Sequence, residues 1–189
     1  MIKVIRGSYK NKAIKIGLSN QNRLKLKPTT AKIRESVFTL IESYIISQGR
    51  SLLDSNFLDL CCGTGAVGIE ALSRGFAFVC FVDNNQEFLR LTMDNIIGIQ
   101  KRYYCCILTE VEKLRFCSHK VFNIIFLDPP YQYRRILAMI THISKFMNKN
   151  TLLLLELRKH YVLRLPDNLH QYFFKKYNHC QIIGIRLLM

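Results

Sequence analysis

The chain reads as an α/β fold: a mostly parallel, Rossmann-like sheet of seven strands with a C-terminal antiparallel hairpin and a small basic hairpin and helix extension at the N-terminus. Three observations predict it. From residue 56 onward, short apolar runs alternate with helical segments at the spacing of βαβ units. The first of those runs leads into Gly63-Thr64-Gly65-Ala66-Val67-Gly68, a G-x-G-x-x-G loop that opens a helix. A later run, Val121 to Leu127, stops abruptly on Asp128-Pro129-Pro130-Tyr131.

Taken in order, residues 2 to 6 and 13 to 18 alternate weakly around Gly7-Ser8-Tyr9-Lys10-Asn11, which predicts a short hairpin. Residues 1–28 form the basic extension, and the sheet domain occupies 29–189. After Pro28, Thr29 or Thr30 can cap a helix whose stripe is Ile33, Val37, Phe38, Ile41, Tyr44 and Ile45. Gly49 ends it. Strands follow at Phe57 to Leu60, Ala77 to Val82, Tyr103 to Leu108, Val121 to Leu127 and Thr151 to Leu155. Helices intervene at Ala66 to Arg74, closed by Gly75, at Glu87 to Ile97 and at Arg134 to Phe146. Tyr172 to Tyr177 and Ile182 to Leu188, split by a turn around Asn178, predict the edge hairpin.

At 189 residues, with 49% hydrophobic and 22% charged residues, the chain supports one domain with a substantial core. It holds no apolar run of about 18 residues, so no membrane span or membrane partner is expected. Lys3 and Arg6 stand where a secretion signal would need an apolar stretch. Seven cysteines include the adjacent pairs Cys61-Cys62 and Cys105-Cys106 and no C-x-x-C, the usage of buried free thiols in a reducing cytoplasm. Five dispersed histidines lack ligand spacing, and no metal is expected. The net charge is +15, and ten cations, from Lys3 to Arg34, precede the first acid, Glu35. Such one-sided charge fits a polyanion, with Arg6, Lys10, Lys12, Arg23 and Arg34 as candidate RNA contacts. A solvated basic surface is the plainer alternative.

The glycine loop suggests an adenosine cofactor. Asp59 stands four residues before Gly63, and the loop between them is longer than a dinucleotide fingerprint allows. A carboxylate there faces a cation better than a pyrophosphate, and S-adenosylmethionine carries an ammonium and a sulfonium but no phosphate. Asp83, at the end of the second strand, suits ribose hydroxyls, a role common to NAD and S-adenosylmethionine sites. Cys61, Thr64 and Asn84 flank these positions, and Thr109 or Glu110 could meet an adenine edge or cap a helix.

Asp128, Pro129, Pro130 and Tyr131 are the candidate catalytic residues. Two prolines hold Asp128 and Pro129 extended, with carbonyls turned outward. An acid, two rigid carbonyls and an aromatic ring can grip a planar group bearing an NH2. Hydrogen bonds to that group would orient its lone pair for direct methyl transfer, without a covalent enzyme intermediate. No cysteine accompanies the prolines, which excludes the thiolate chemistry of cytosine C5 methylation.

With these residues in place the chain resembles the bacterial RsmD-type 16S rRNA guanine-N2 methyltransferases. The resemblance rests on Val4-Ile5-Arg6-Gly7, Lys27-Pro28-Thr29-Thr30 with Ile33-Arg34-Glu35-Ser36-Val37-Phe38, Leu58-Asp59-Leu60 with Gly63-Thr64-Gly65, Gly68 to Gly75, and Phe126 to Tyr131. It implies a class I S-adenosylmethionine-dependent fold and methyl transfer to a guanine N2 in 16S rRNA or an assembling small subunit. S-adenosylhomocysteine would be the product, and a monomer is expected. Asp83 stands where the family often has Glu, and Thr109 where an acid is expected. Three alternatives remain at this point: a DNA adenine or cytosine amino-methyltransferase, a non-catalytic rRNA-binding or assembly protein, and an NAD-dependent oxidoreductase.

Overall fold

The computed structural model describes residues 2–17, 29–116 and 121–188, which build a two-stranded ribbon and one seven-stranded sheet. The elements are β1 (Ile2–Lys3), β2 (Ala13–Ile14), α1 (Ala31–Ser47), β3 (Asn56–Leu60), α2 (Ala66–Arg74), β4 (Phe78–Asp83), α3 (Gln86–Asn95), β5 (Tyr104–Leu108), β6 (Ile124–Leu127), α4 (Ile136–Ser144), β7 (Leu152–Arg158), β8 (Leu169–Lys176) and β9 (Cys180–Leu187). The sheet order is β5-β4-β3-β6-β7-β9-β8. Pairings from β5 to β7 are parallel, and β9 joins both β7 and β8 antiparallel.

The chain steps outward from β3 through β4 to β5, then returns to β3's other side at β6. That reversal lies between β3 and β6, where the loops leaving the two strands diverge and open a crevice. Parity along each strand assigns the faces. Phe57, Phe126, Leu152 and Leu154 pack with Val37, Phe38 and Ile41 of α1 and Ile69 of α2, while Leu58, Leu60, Ile125, Leu153 and Leu155 pack with Met139, Ile140 and Ile143 of α4. Burial on both faces explains why these strands are continuous apolar runs.

Local signals set several ends. Thr30 caps α1 by accepting from Ile33 N. Asn85 caps α3 through Glu87 N and Phe88 N. Among the described residues, no helix is long and apolar enough to cross a membrane.

The basic ribbon docks on α2. Ser8 N donates to Ser73 O and Tyr9 N to Ser73 Oγ, while Ile5 N and Arg6 N donate to the Glu70 carboxylate at 2.8 and 3.0 Å. Gly7 has φ +85°, and a Cβ there would sit 1.6 Å from Ser73 O, so only glycine lets the ribbon approach this closely. Val4 and Ile14 belong to the same apolar cluster as α1 and α2.

Arg34 departs from expectation. Placed with the RNA-binding cations, it is 1% exposed; its guanidinium donates to Lys3 O and Thr29 O, and Nε lies 3.8 Å from Glu70. It is a core cation that ties ribbon, α1 and α2 together, and a phosphate cannot reach it in this arrangement. Arg6 remains 65% exposed and pairs with Glu35 at 3.0 Å. Lys10 is exposed, Lys12 Nζ donates to Ile97 O, and Arg23 lies outside the described residues.

Candidate active site

A cavity of about 930 Å³ opens at the carboxyl ends of β3, β4, β6 and β7. Its wall collects nearly all the predicted site residues: Asp59, Cys61, Gly63, Thr64, Asp83, Asn84, Asp128, Pro129, Pro130 and Tyr131. Gly65 and Thr109 are the two that do not line it. Gly65 has φ +73° and forms the turn into α2. Thr109 N donates to Asp83 O, and its hydroxyl donates to Glu110 O, so its hydrogen bonds hold its own loop.

The glycine loop is closed on itself. Cys61 leaves β3 at φ +58°, an unusual conformation for a side chain with a Cβ, and Cys62 N donates to Val82 O. Gly63 N donates to Asp83 Oδ2 at 2.9 Å, Gly65 N to Cys62 O at 2.8 Å, and Gly68 N to Asp59 Oδ2 at 2.8 Å. The three glycine amides that a dinucleotide fold turns toward pyrophosphate are thus spent on the protein's own acceptors. Gly68 must be glycine, because a Cβ there would meet Phe81 Cε1 at 2.2 Å and Asp59 Oδ2 at 2.9 Å.

The cavity is acidic inside a basic chain. Asp59, Asp83, Asp128 and Glu156 line it, against the single cation Arg158. Burial pushes the Asp59 carboxyl up to about 8; the Gly68 amide opposes the shift and Asp83 adds to it. Burial also raises Asp83, against the amides of Asn85, Gly63 and Asn84. The Cys61 and Cys62 thiols are pushed well above their usual value by burial and by nearby carboxylates. Both therefore hold their protons at neutral pH.

Asp128 follows β6 and stands level with Glu156, since Leu127 pairs with Leu155. Burial, with Glu156 and Asp128 nearby, pushes the Tyr131 hydroxyl to about 12, so its ring stays neutral. Arg158 sits over that ring at 5.4 Å. Glu156 and Phe88 are among the wall residues absent from the sequence-based site. Glu156 lies one residue past the predicted strand Thr151 to Leu155; β9 pairing carries β7 on to Arg158 and puts Glu156 on the cavity wall. Phe88, from the first turn of α3, supplies an apolar ring beside Asn84.

A family model described as Conserved hypothetical protein 95 matches residues 2–185. The chain belongs to this family of RsmD-type methyltransferases. It is 30% identical over 183 residues to Ribosomal RNA small subunit methyltransferase D of Buchnera aphidicola subsp. Acyrthosiphon pisum, covering 95% of this chain and 90% of that one. The structure of yhhF from Escherichia coli matches with a TM-score of 0.79 at 19% identity, over 98% of this chain and 97% of that one. Magnesium protoporphyrin IX methyltransferase (ChlM) from Synechocystis PCC 6803, solved with S-adenosylmethionine bound, matches with a TM-score of 0.59 at 12% identity, over 81% and 79%. The fold of this RsmD-type chain is therefore that of the Rossmann-like S-adenosylmethionine-dependent methyltransferases.

Proposed function

We propose that this RsmD-type chain transfers a methyl group from S-adenosylmethionine to the exocyclic N2 of a guanine in small-subunit (16S) rRNA. The observation that carries the cofactor is the closed glycine loop beside buried acids. With the amides of Gly63, Gly65 and Gly68 already donated, a pyrophosphate would meet carboxylates instead of N–H groups. A cationic cofactor without phosphate fits the same wall, with Asp59, whose ionised form the cation would favour, toward the cation and Asp83 toward ribose hydroxyls. Bound there, S-adenosylmethionine supplies an electrophilic methyl group.

The remaining chemistry belongs to the chain. Asp128 and the Pro129 carbonyl accept the two N–H bonds of the acceptor's amino group and hold its lone pair toward the methyl. Tyr131 stacks on the base. Asp128 can take the proton released as the N–C bond forms. Glu156 supports guanine over adenine: guanine's edge presents N1–H beside N2–H2, two donors for two carboxylates, whereas adenine N1 is an acceptor that Glu156 would repel. The relatives' rRNA names and the charge of +15 support RNA as the carrier of that guanine.

The cofactor half is tested by thermal shift, because a ligand that binds only the folded state must raise Tm. S-adenosylhomocysteine should stabilise the protein and NAD should not; the opposite result would remove the reading.

A further inference from the structure

We propose that a second, outer groove beside the acceptor site binds the nucleotides flanking the target base, by ring stacking and phosphate pairing. This rests on the rRNA reading above. The groove has a volume of about 450 Å³ and is lined by Tyr131, Gln132, Tyr133, Arg134, Arg158 and Tyr161. Tyr131, Gln132, Tyr133 and Arg158 also line the main cavity, so the groove adjoins the mouth through which a base would enter.

The two spaces differ in charge. The inner cavity presents four carboxylates and one arginine, whereas the groove presents two arginines and no acid. Among the described residues, the ion pairs involve neither Arg134 nor Arg158. A phosphodiester is excluded from the inner wall and welcomed by the outer one, which is the partition a polynucleotide acceptor needs.

The rings are held as platforms. Tyr133 N donates to Pro130 O at 2.8 Å, and its hydroxyl donates to Glu112 Oε1, which fixes the ring at both ends. Tyr161 N donates to Arg158 O, and Gln181 Nε2 donates to Tyr161 O, which anchors the backbone of a residue that remains 38% exposed. Arg158 reaches back over the Tyr131 ring, linking the acceptor platform to the groove. The basic ribbon sits apart from this groove. Its tip docks on Ser73, at the far end of α2 from the glycine loop, a helix length of ~13 Å away.

The test compares wild type with Arg134→Ala/Tyr161→Ala and with Tyr161→Phe, reading label transfer to naked 16S rRNA and thermal stabilisation by S-adenosylhomocysteine. Losing one stacked base and one phosphate contact should raise KM for RNA by roughly ten- to hundredfold, with kcat and cofactor stabilisation unchanged. The slope of log affinity against log salt should fall by about one. Tyr161→Phe, which keeps the ring, should behave as wild type. Wild-type transfer with an unchanged KM in the double variant would overturn the groove and leave the rRNA reading standing. A wild-type protein that labels DNA and no RNA would overturn both.

Discussion

Removing Glu70 should destabilise this protein strongly, because one buried carboxylate holds the ribbon, Arg34 and Arg74 together. Glu70 is fully buried, and its carboxylate accepts from Ile5 N at 2.8 Å, Arg6 N at 3.0 Å and Arg74 Nε at 2.8 Å. Arg34, 1% exposed, lies 3.8 Å away as an ion pair. Burial lowers the Arg34 pKa and Glu70 pulls it back up, so the acid offsets the cost of a buried cation. Glu70→Ala leaves Glu35 as the one acid offsetting that buried cation and orphans two ribbon amides. Breaking a buried pair in this way costs about 3–5 kcal/mol. For a chain of this size that corresponds to a Tm drop of roughly 6–20 °C. Urea unfolding with linear extrapolation measures it directly. Adding Arg34→Met to Glu70→Ala should recover part of the loss, because no buried charge is then stranded. A loss below about 1 kcal/mol in Glu70→Ala, or additive losses in the double variant, would refute the reasoning.

Two further expectations concern the cavity. Asp59 has its carboxyl raised from 3.8 to about 8 in the folded protein. The folded state therefore holds the proton more tightly than the unfolded state, and stability should fall as pH rises from about 4 to about 8, at up to about 1.4 kcal/mol per pH unit. Asp59→Asn should flatten that part of the profile; an identical slope in the variant would show that Asp59 does not titrate there. Asp128→Ala should cut methyl transfer by at least ~100-fold while leaving S-adenosylhomocysteine stabilisation intact, and Glu156→Gln should narrow the preference for guanine over adenine in RNA. Full activity in the first variant, or undiminished preference in the second, would contradict their roles.

Much of the fold was legible because its signals are local. Helix α2 runs Ala66–Arg74 as expected, since Gly65 and Gly75, both at positive φ, punctuate its ends. The mostly parallel sheet and its C-terminal antiparallel hairpin followed from the βα alternation and the turn at Asn178. The misread elements depend on distant partners. Val121 to Asn123 read as strand, yet Asn123 is spent outside the ladder: its side chain accepts from Asn56 N and its carbonyl from Leu152 N. Helix α4 is shorter than its apolar pattern at both ends, with Arg134 and Arg135 turned into the loop after Pro130. β7 runs past its apolar run because β9 pairs with Glu156, Leu157 and Arg158.

The site divides in the same way. The loop glycines, Asp59, Asp83 and the Asp128 to Tyr131 tetrapeptide are contiguous motifs at strand ends, and sequence spacing alone brings them to one crevice. Arg34 could not be told from the surface cations around it, because the acid that buries it, Glu70, comes from α2, 36 residues later. Tyr133 and Tyr161 are 28 residues apart, and only the closeness of the β6 and β7 exits makes them one groove.

The central claim is tested most directly by incubating the protein with methyl-labelled S-adenosylmethionine and small subunits or naked 16S rRNA, then digesting the RNA for nucleoside mass spectrometry. The account predicts label in N2-methylguanosine at one site. Label in N6-methyladenosine or in a methylated cytosine, or label confined to DNA, would contradict it.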